Sequence, residues 1–377
     1  MVPFTLPGER LTAEIRRDTP KLVQGRPLEF QRQSESRVEP PCPVFAKCGG
    51  CNYQHAPYEA QLEYKREILR ESLARLGKIE WSGDIPTISG DPLGYRNRSQ
   101  MRIWKSGKTA EVGFMAAASH RFVAAQDCPI NSPKLNEVHG KLREMARARR
   151  FPTFLHELEL FTNETDVQLN VRGTKQRVAK SFFEWLATEI DGLLPGEYLE
   201  YPSGQDLFRV GSRSFFQVNR FLTDQLAQAA VEGYSGKSAL DLYAGVGLLT
   251  LPLARQFEQT TAVDSSGAAV RSLGFNAERA GVQAKVVHLN VDAYLAGLQE
   301  APELVVADPP RAGLGAVVVG ELVRLAPRQI SLISCDPTTL ARDLKALTAA
   351  GYGISRITMI DLFPQTYHLE TVVRLER

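Results

Sequence analysis

The chain has 377 residues, 43% of them hydrophobic and 23% charged, enough to bury more than one core and to suggest two or three domains. Lys and Arg (45) nearly balance Asp and Glu (43), so a polyanion would have to be met by a local basic patch rather than by net charge. No apolar run is long enough to span a bilayer and no signal peptide opens the chain, which argues against a helical membrane protein and leads to the expectation of a cytoplasmic monomer.

Two alternating segments at 10–15 and 27–30, with Gly, Pro and charge between them, predict a partial β module over 1–40 that is too short to close a barrel. A cysteine-rich stretch follows, Cys42 and then Cys48-Gly49-Gly50-Cys51, and Cys128-Pro129 comes much later. Disulfides are not expected in a reducing compartment. Four thiolates suit either tetrahedral zinc or a [4Fe–4S] cluster. Zinc ligands more often come as two pairs, so three clustered cysteines with a remote fourth lean toward iron–sulfur.

Residues 57–77 read as a helix with Leu62, Ile68, Leu69 and Leu73 inward. Lys65, Arg66, Arg70 and Arg75 then form an outer basic face that is either solvated or turned to phosphates. Over 85–215, strand patterns at 100–104, 111–114, 166–172 and 197–201 alternate with helices at 133–149 and 176–192. This marks 41–215 as a central α+β domain. The first of these helices ends in Arg147, Arg149 and Arg150; Tyr95-Arg96-Asn97-Arg98 and Ser119-His120-Arg121 are candidate RNA contacts or plain solvated loops.

From 216 the pattern becomes β-α-β. After a helix at 219–233, strands fall at 238–243, 260–264, 285–289, 303–308, 329–334, 354–361 and 369–376, with helices at 247–256, 266–280, 316–325 and 338–349. This predicts an α/β doubly wound sheet with an antiparallel last strand over 216–377.

The chemistry-bearing residues fall at the ends of these strands. Asp241-Leu242-Tyr243-Ala244-Gly245-Val246-Gly247 makes a turn at which a ligand approaches backbone closely. About twenty residues on, Asp264 ends the second strand, where a carboxylate accepts both hydroxyls of a ribose or caps the next helix. Without a third glycine the loop suits an adenosine ligand lacking a pyrophosphate, namely S-adenosylmethionine. Asp308-Pro309-Pro310-Arg311 forms a rigid wall at the fourth strand, with Asp308 placed to hold the polar edge of a flat base. Cys335 follows the apolar run at 330–334 and precedes the helix-opening Asp336-Pro337; it is either a small core residue or a nucleophile. A thiolate is suited to conjugate addition at pyrimidine C6, and Glu370, close to His368, is the best carboxylate to take the C5 proton.

By these motifs the chain resembles the bacterial RNA 5-methyluridine (uracil-C5) methyltransferases from about residue 2 to its end. The resemblance rests on Cys42…Cys48-Gly-Gly-Cys51…Cys128, Phe215-Phe216-Gln217-Val218-Asn219, the 241–247 loop, Asp308-Pro-Pro-Arg311, Ser334-Cys335-Asp336-Pro337 and Phe363-Pro-Gln-Thr-Tyr-His-Leu-Glu370. It implies a class I (Rossmann-like) methyltransferase domain, Cys335 as nucleophile and Glu370 as proton acceptor. Gln217, Tyr243, Gly245, Asp264 and Asp308 fall on cofactor- and base-binding positions, and Asn290 on a further one used in the ribosomal branch. It also implies that Cys42, Cys48, Cys51 and Cys128 hold a [4Fe–4S] cluster, as in members acting on ribosomal RNA, so 23S rRNA is the expected partner. Transfer RNA is the alternative substrate, and a non-catalytic RNA-binding protein keeping the methyltransferase shell is the rival of another kind. The chain departs from the family in having Asp264 for the usual glutamate and Leu248 where some members have a polar residue. Residues 2–40 match only the later part of the family's N-terminal TRAM barrel.

Overall fold

A computed structural model of the protein describes residues 1–20, 22–117, 119–194 and 198–377. At the start, Arg10–Thr19 pairs antiparallel with Leu22–Arg32 as a separate two-stranded sheet. Ile15, Val23 and Leu28 on this hairpin are exposed. It is tied to the rest by Glu9, whose carboxylate accepts two hydrogen bonds of 2.7 Å from Arg37.

A six-stranded sheet forms the middle of the chain. Its order is Phe122–Val123, Thr109–Met115, Arg98–Ser106, Leu155–Thr162, Val167–Thr174 and Leu193–Leu194. Every second residue of Arg98–Ser106 turns inward at first, burying Ser99, Met101 and Ile103. Helices Pro133–Met145 and Lys180–Glu189 supply Leu135, Val138, Leu142, Phe182 and Leu186 to the same core. Strand Leu155–Thr162 is absent from the sequence reading because Glu157 and Glu159 interrupt its apolar run. Both are neutralised across the sheet, by Arg102 at 2.8 Å and Arg172 at 2.6 Å. The strand expected at 197–201 is seen as Tyr198–Ser203, paired with Asp206–Gly211; Glu197 lies outside the described residues.

The large sheet runs Lys285–His288, Phe257–Asp264, Gly236–Leu242, Leu304–Ala307, Gln329–Ser334, Glu370–Glu376, Gly353–Ile360 and Thr87–Ile88. All pairings are parallel except those of Glu370–Glu376, which runs antiparallel to both its neighbours. Leu304–Ala307 is buried throughout, as expected of a parallel strand covered on both faces. Because the last strand is reversed, its first residue sits where the preceding parallel strand ends: Ser334 faces Thr371, placing Cys335 beside Glu370. Helix Val291–Gly297 is an addition to the expected elements.

The sequence places residues 57–88 with the central domain, whereas they pack on the large sheet. Thr87–Ile88 adds its outer strand beside Met359 and Ile360. Helix Tyr58–Ser72 and the π-helical turn Leu73–Gly77 bury Leu69 and Leu73 in one core with Leu340, Leu344 and Val373. Each such leucine contributes about 1.5–3 kcal/mol of burial. The expected basic face of this helix is corrected at Lys65, which points inward and has no exposed side-chain surface. Among the described residues, no helix is long and apolar enough to cross a membrane.

Candidate active site

The glycine loop leaves strand Gly236–Leu242 through three left-handed residues, Tyr243 (φ 61°), Gly245 (φ 56°) and Gly247 (φ 99°). Tyr243 is the costly member, since a side chain disfavours that region. Asp264 holds the loop: its Oδ2 accepts from the Gly245 amide at 2.9 Å and its Oδ1 from the Ser266 amide at 2.7 Å. It therefore shapes the turn as well as standing at the strand end, and each oxygen retains a lone pair for a ligand hydroxyl. Asn276, which no sequence motif singles out, braces the loop from behind. It donates to the Val246 carbonyl at 2.9 Å and accepts from the Arg209 amide at 2.7 Å. Asn290 stands exposed at the start of Val291–Gly297, past the end of the neighbouring strand, and makes no capping bond there.

Asp308 follows Leu304–Ala307 at the same edge. Gln217 donates to its Oδ2 at 3.3 Å, and the Gln217 carbonyl accepts from Asn97 at 3.0 Å. Gln217 thus bridges the six-stranded body and the large sheet. Desolvation pushes the Asp308 carboxyl up to about 7.

Cys335 is half-buried. Desolvation first, then the Glu370 and Asp308 carboxyls, push its thiol up to about 11, with Arg311 opposing. Next to it, Asp336 caps helix Pro337–Ala349, accepting from the amides of Thr338 at 2.8 Å and Thr339 at 3.1 Å. The cap fixes where the strand stops and the thiol emerges. Glu370 is 4% exposed, and its Oε1 has no hydrogen-bond partner. Desolvation and the nearby Asp308 raise its pKa well above the ordinary carboxylate value. A buried, unpartnered carboxyl is expensive to keep unless it serves a reacting atom. His368, the other candidate base, is held down to about 4 by burial and by Arg311, Lys65 and Arg96, and so stays a neutral imidazole.

The four other cysteines converge although 76 residues lie between Cys51 and Cys128 in sequence. Cys42, Cys48, Cys51 and Cys128 line one cavity of about 340 Å³ together with Gln54, Arg96 and Asn131. Gly49 is required beside it, since a Cβ there would stand 2.9 Å from the Ala117 backbone. Burial raises all four thiols, Cys51 to about 12 and Cys128 to about 11, and Arg96 counteracts it at Cys48, Cys51 and Cys128. Buried nitrogens of Gln54, Arg96 and Asn131 lack partners. Among the described residues, no three His, Cys, Asp or Glu side chains are grouped closely enough to share one metal ion. Four thiols around one cavity, with a cation and free donors beside them, are a donor set suited to an anionic metal group.

The sheet order and the loop at its carboxyl edge define the class I methyltransferase fold. The family model described as tRNA (Uracil-5-)-methyltransferase matches residues 155–377. A 23S rRNA (uracil(1939)-C(5))-methyltransferase, RlmD, from Halomonas elongata is 35% identical, covering 98% of this chain and 83% of that protein. The protein of the same name from Vibrio parahaemolyticus is 27% identical, covering 99% and 90%. The crystal structure of Pyrococcus abyssi tRNA (uracil-54, C5)-methyltransferase in complex with S-adenosyl-L-homocysteine superposes with a TM-score of 0.75 at 24% identity, covering 99% of this chain and 95% of that one. The chain belongs to the tRNA (uracil-5-)-methyltransferase family and is an RNA uracil-C5 methyltransferase. The reading as a non-catalytic RNA-binding shell is thereby set aside.

Proposed function

We propose that the protein methylates C5 of a uridine in 23S rRNA, using S-adenosylmethionine as donor, Cys335 as nucleophile and Glu370 as base. One observation carries the roles: the reversed last strand places a buried, unpartnered carboxyl beside the thiol at the edge where the glycine loop ends. The Cys335 thiol gives up its proton to solvent and its sulfur bonds to C6, and the electron pair displaced from the C5=C6 bond makes C5 nucleophilic. C5 takes the methyl group from the donor's sulfonium, leaving S-adenosylhomocysteine. The Glu370 carboxylate then takes the C5 proton. The electrons of that bond restore C5=C6 and expel the Cys335 thiolate. Tyr243, Gly245, Asp264 and Asn290 would hold the donor. Gln217 and Asp308 lie where donor and base meet, and Asp308 would orient the polar edge of the base. The uridine would enter flipped from its stack.

The ribosomal substrate is supported by the four-cysteine set and by the relatives named for 23S rRNA. Mapping 5-methyluridine in total RNA from a strain lacking the gene tests it. Loss at a 23S position, restored by the cloned gene, is expected; loss confined to transfer RNA would reassign the substrate.

Cys42, Cys48, Cys51 and Cys128 would hold a [4Fe–4S] cluster. Purified without oxygen, the protein is expected to be brown with about four irons and matching sulfide per chain. A colourless protein carrying one zinc would reject the assignment.

RNA binding is expected to fall with salt despite the small net charge. Lys141, Arg147, Arg149 and Arg150 are exposed, and Arg149, Arg150 and Arg177 line a cleft of about 640 Å³ beside Trp185. By contrast, Arg66 and Arg75 of the earlier helix are already paired with Glu63 and Glu71. Replacing Arg147, Arg149 and Arg150 with Glu should weaken binding alike for all RNA sequences, and the salt slope should fall by about 0.7–0.9 for each phosphate no longer neutralised. An unchanged slope would mean that these arginines are merely solvated.

A further inference from the structure

The catalytic strand is entered through a loop that earlier parts of the chain hold at successive residues from Asp361 to Gln365. Asp361 is fully buried, and its Oδ1 accepts from Lys65 Nζ at 2.6 Å; both side chains have no exposed surface. Lys65 also donates to the Phe363 carbonyl at 3.0 Å. One turn earlier on the same helix face, Gln61 exchanges two bonds with Gln365, each of 3.0 Å: its amide nitrogen donates to Gln365 Oε1, and its Oε1 accepts from the Gln365 amide. Three further carbonyls of the loop are taken as well. Leu362 O accepts from Asn219 at 3.2 Å and Pro364 O from the Tyr95 hydroxyl at 3.1 Å. Gln365 O accepts from the amides of Asn52 at 2.8 Å and Tyr53 at 3.0 Å, directly after Cys51. Four successive carbonyls, at 362–365, are thus each satisfied from a different part of the chain. Gln365 itself is left-handed (φ 67°), a conformation that a glutamine keeps only when its surroundings over-determine it.

Stability alone is a poor account of this arrangement. Replacing a buried ion pair by apolar side chains of similar volume is often neutral or favourable, so the pair at 65 and 361 makes better sense as a device for conformation. The loop ends four residues before Glu370, and Ile360 and Glu370, which flank this connection, pair across the sheet, so Glu370 is where the held loop re-enters a strand.

We infer that Gln61 and Lys65 are positioning residues for the reaction, holding the 361–366 loop in the conformation that seats the Glu370 carboxyl at C5 of the uracil. This rests on Glu370 as the proton acceptor. When the carboxyl is displaced, sulfur addition at C6 and methyl transfer to C5 still proceed. Transfer of the C5 proton to Glu370, which releases the Cys335 thiolate, becomes slow. The RNA–protein adduct should therefore build up.

The test uses the full chain with RNA extracted from a strain lacking the gene, and compares Gln61→Leu, Lys65→Met and Glu370→Gln. A misplacement on the order of 1 Å costs about 100-fold in rate. Gln61→Leu should lower turnover by about 10- to 100-fold, keep donor affinity within about twofold, and accumulate an adduct that resists a denaturing gel. Combined with Glu370→Gln it should trap no more adduct than Glu370→Gln alone, because both act on one step. Lys65→Met should behave alike if it folds; Gln61→Leu, which leaves no buried charge, decides the matter if it does not. Glu370→Gln trapping adduct while Gln61→Leu loses activity without any would overturn the inference and make Gln61 merely structural. No adduct even from Glu370→Gln would overturn the base assignment and the inference with it.

Discussion

Cys335→Ala is expected to abolish methyl transfer while leaving S-adenosylmethionine affinity within about twofold of the wild type. On the proposed mechanism the thiol attacks the base, whereas the donor would be held at different strand ends, by the glycine loop and the Asp264 carboxylate that shapes it. C5 of a uracil does not take a methyl cation equivalent until a nucleophile has added at C6, so no slower route substitutes for the missing sulfur. The loss should reach the detection limit, at least about 10⁴-fold, as for removal of the nucleophile in other covalent enzymes. The substitution is mild for the fold, since a half-buried Cys is replaced by a residue only slightly smaller at a helix entry that Asp336 continues to cap. Calorimetric titration of the donor beside a tritium-release assay checks both halves. Donor affinity falling along with activity would mean that Cys335 shapes the cofactor site instead. Residual turnover of more than a few per cent would place the nucleophile elsewhere.

That Cys335 and Glu370 could be paired from sequence follows from the chemistry at strand ends. An apolar run closed by Asp-Pro says where a strand stops, and a reversed final strand brings its own beginning to the same edge. The glycine loop and Asp264 were legible for the same reason, because a turn and a carboxylate at successive strand ends have few other uses. What escapes is non-local. Gln61, Lys65, Leu69 and Leu73 form a regular stripe at intervals of four, yet two of them are polar. Nothing near Lys65 in sequence announces a carboxylate at 361 that will accept its charge. Thr87–Ile88 is too short to carry a strand period and becomes a strand only by pairing with Met359 and Ile360. Glu157 and Glu159 hide a central strand because their arginine partners lie on neighbouring strands. Asn276 looks like any polar helix residue until the loop it braces is folded against it. Thr87–Ile88 apart, the chain in each case tolerates a polar side chain inside by supplying its partner from far away, which local periodicity cannot register.

Glu370→Gln separates the second half of the reaction from the first. The amide nearly preserves the shape of the side chain, so addition of Cys335 to C6 and methylation of C5 should continue for a single turnover. An amide does not accept the C5 proton, and without its removal the sulfur–C6 bond persists. The enzyme should then stop joined to methylated RNA, seen on a denaturing gel as protein of raised mass labelled from the donor's methyl group. Steady-state turnover should fall at least about 100-fold, the usual range for removing a general base. In the Cys335→Ala, Glu370→Gln double variant the adduct should be absent; its survival would identify another nucleophile. Normal turnover of the single variant would pass the base to His368, whose neutral ring is the remaining acceptor close by. Stability supplies an independent check on the burial of this carboxyl. Its pKa is raised on folding, so its favourable contribution is complete below the unfolded value, near 4, and is lost as pH climbs through the higher folded value. Wild type is therefore destabilised by this group at pH 8 relative to pH 4, because the unfolded carboxyl ionises more readily than the buried one, and the glutamine variant has no such pH dependence. Its thermal midpoint should exceed that of the wild type by a few degrees at pH 8 and match it at pH 4. An equal midpoint at both would mean that water reaches Glu370 freely, and a carboxylate so hydrated would be a weak base for a carbon acid.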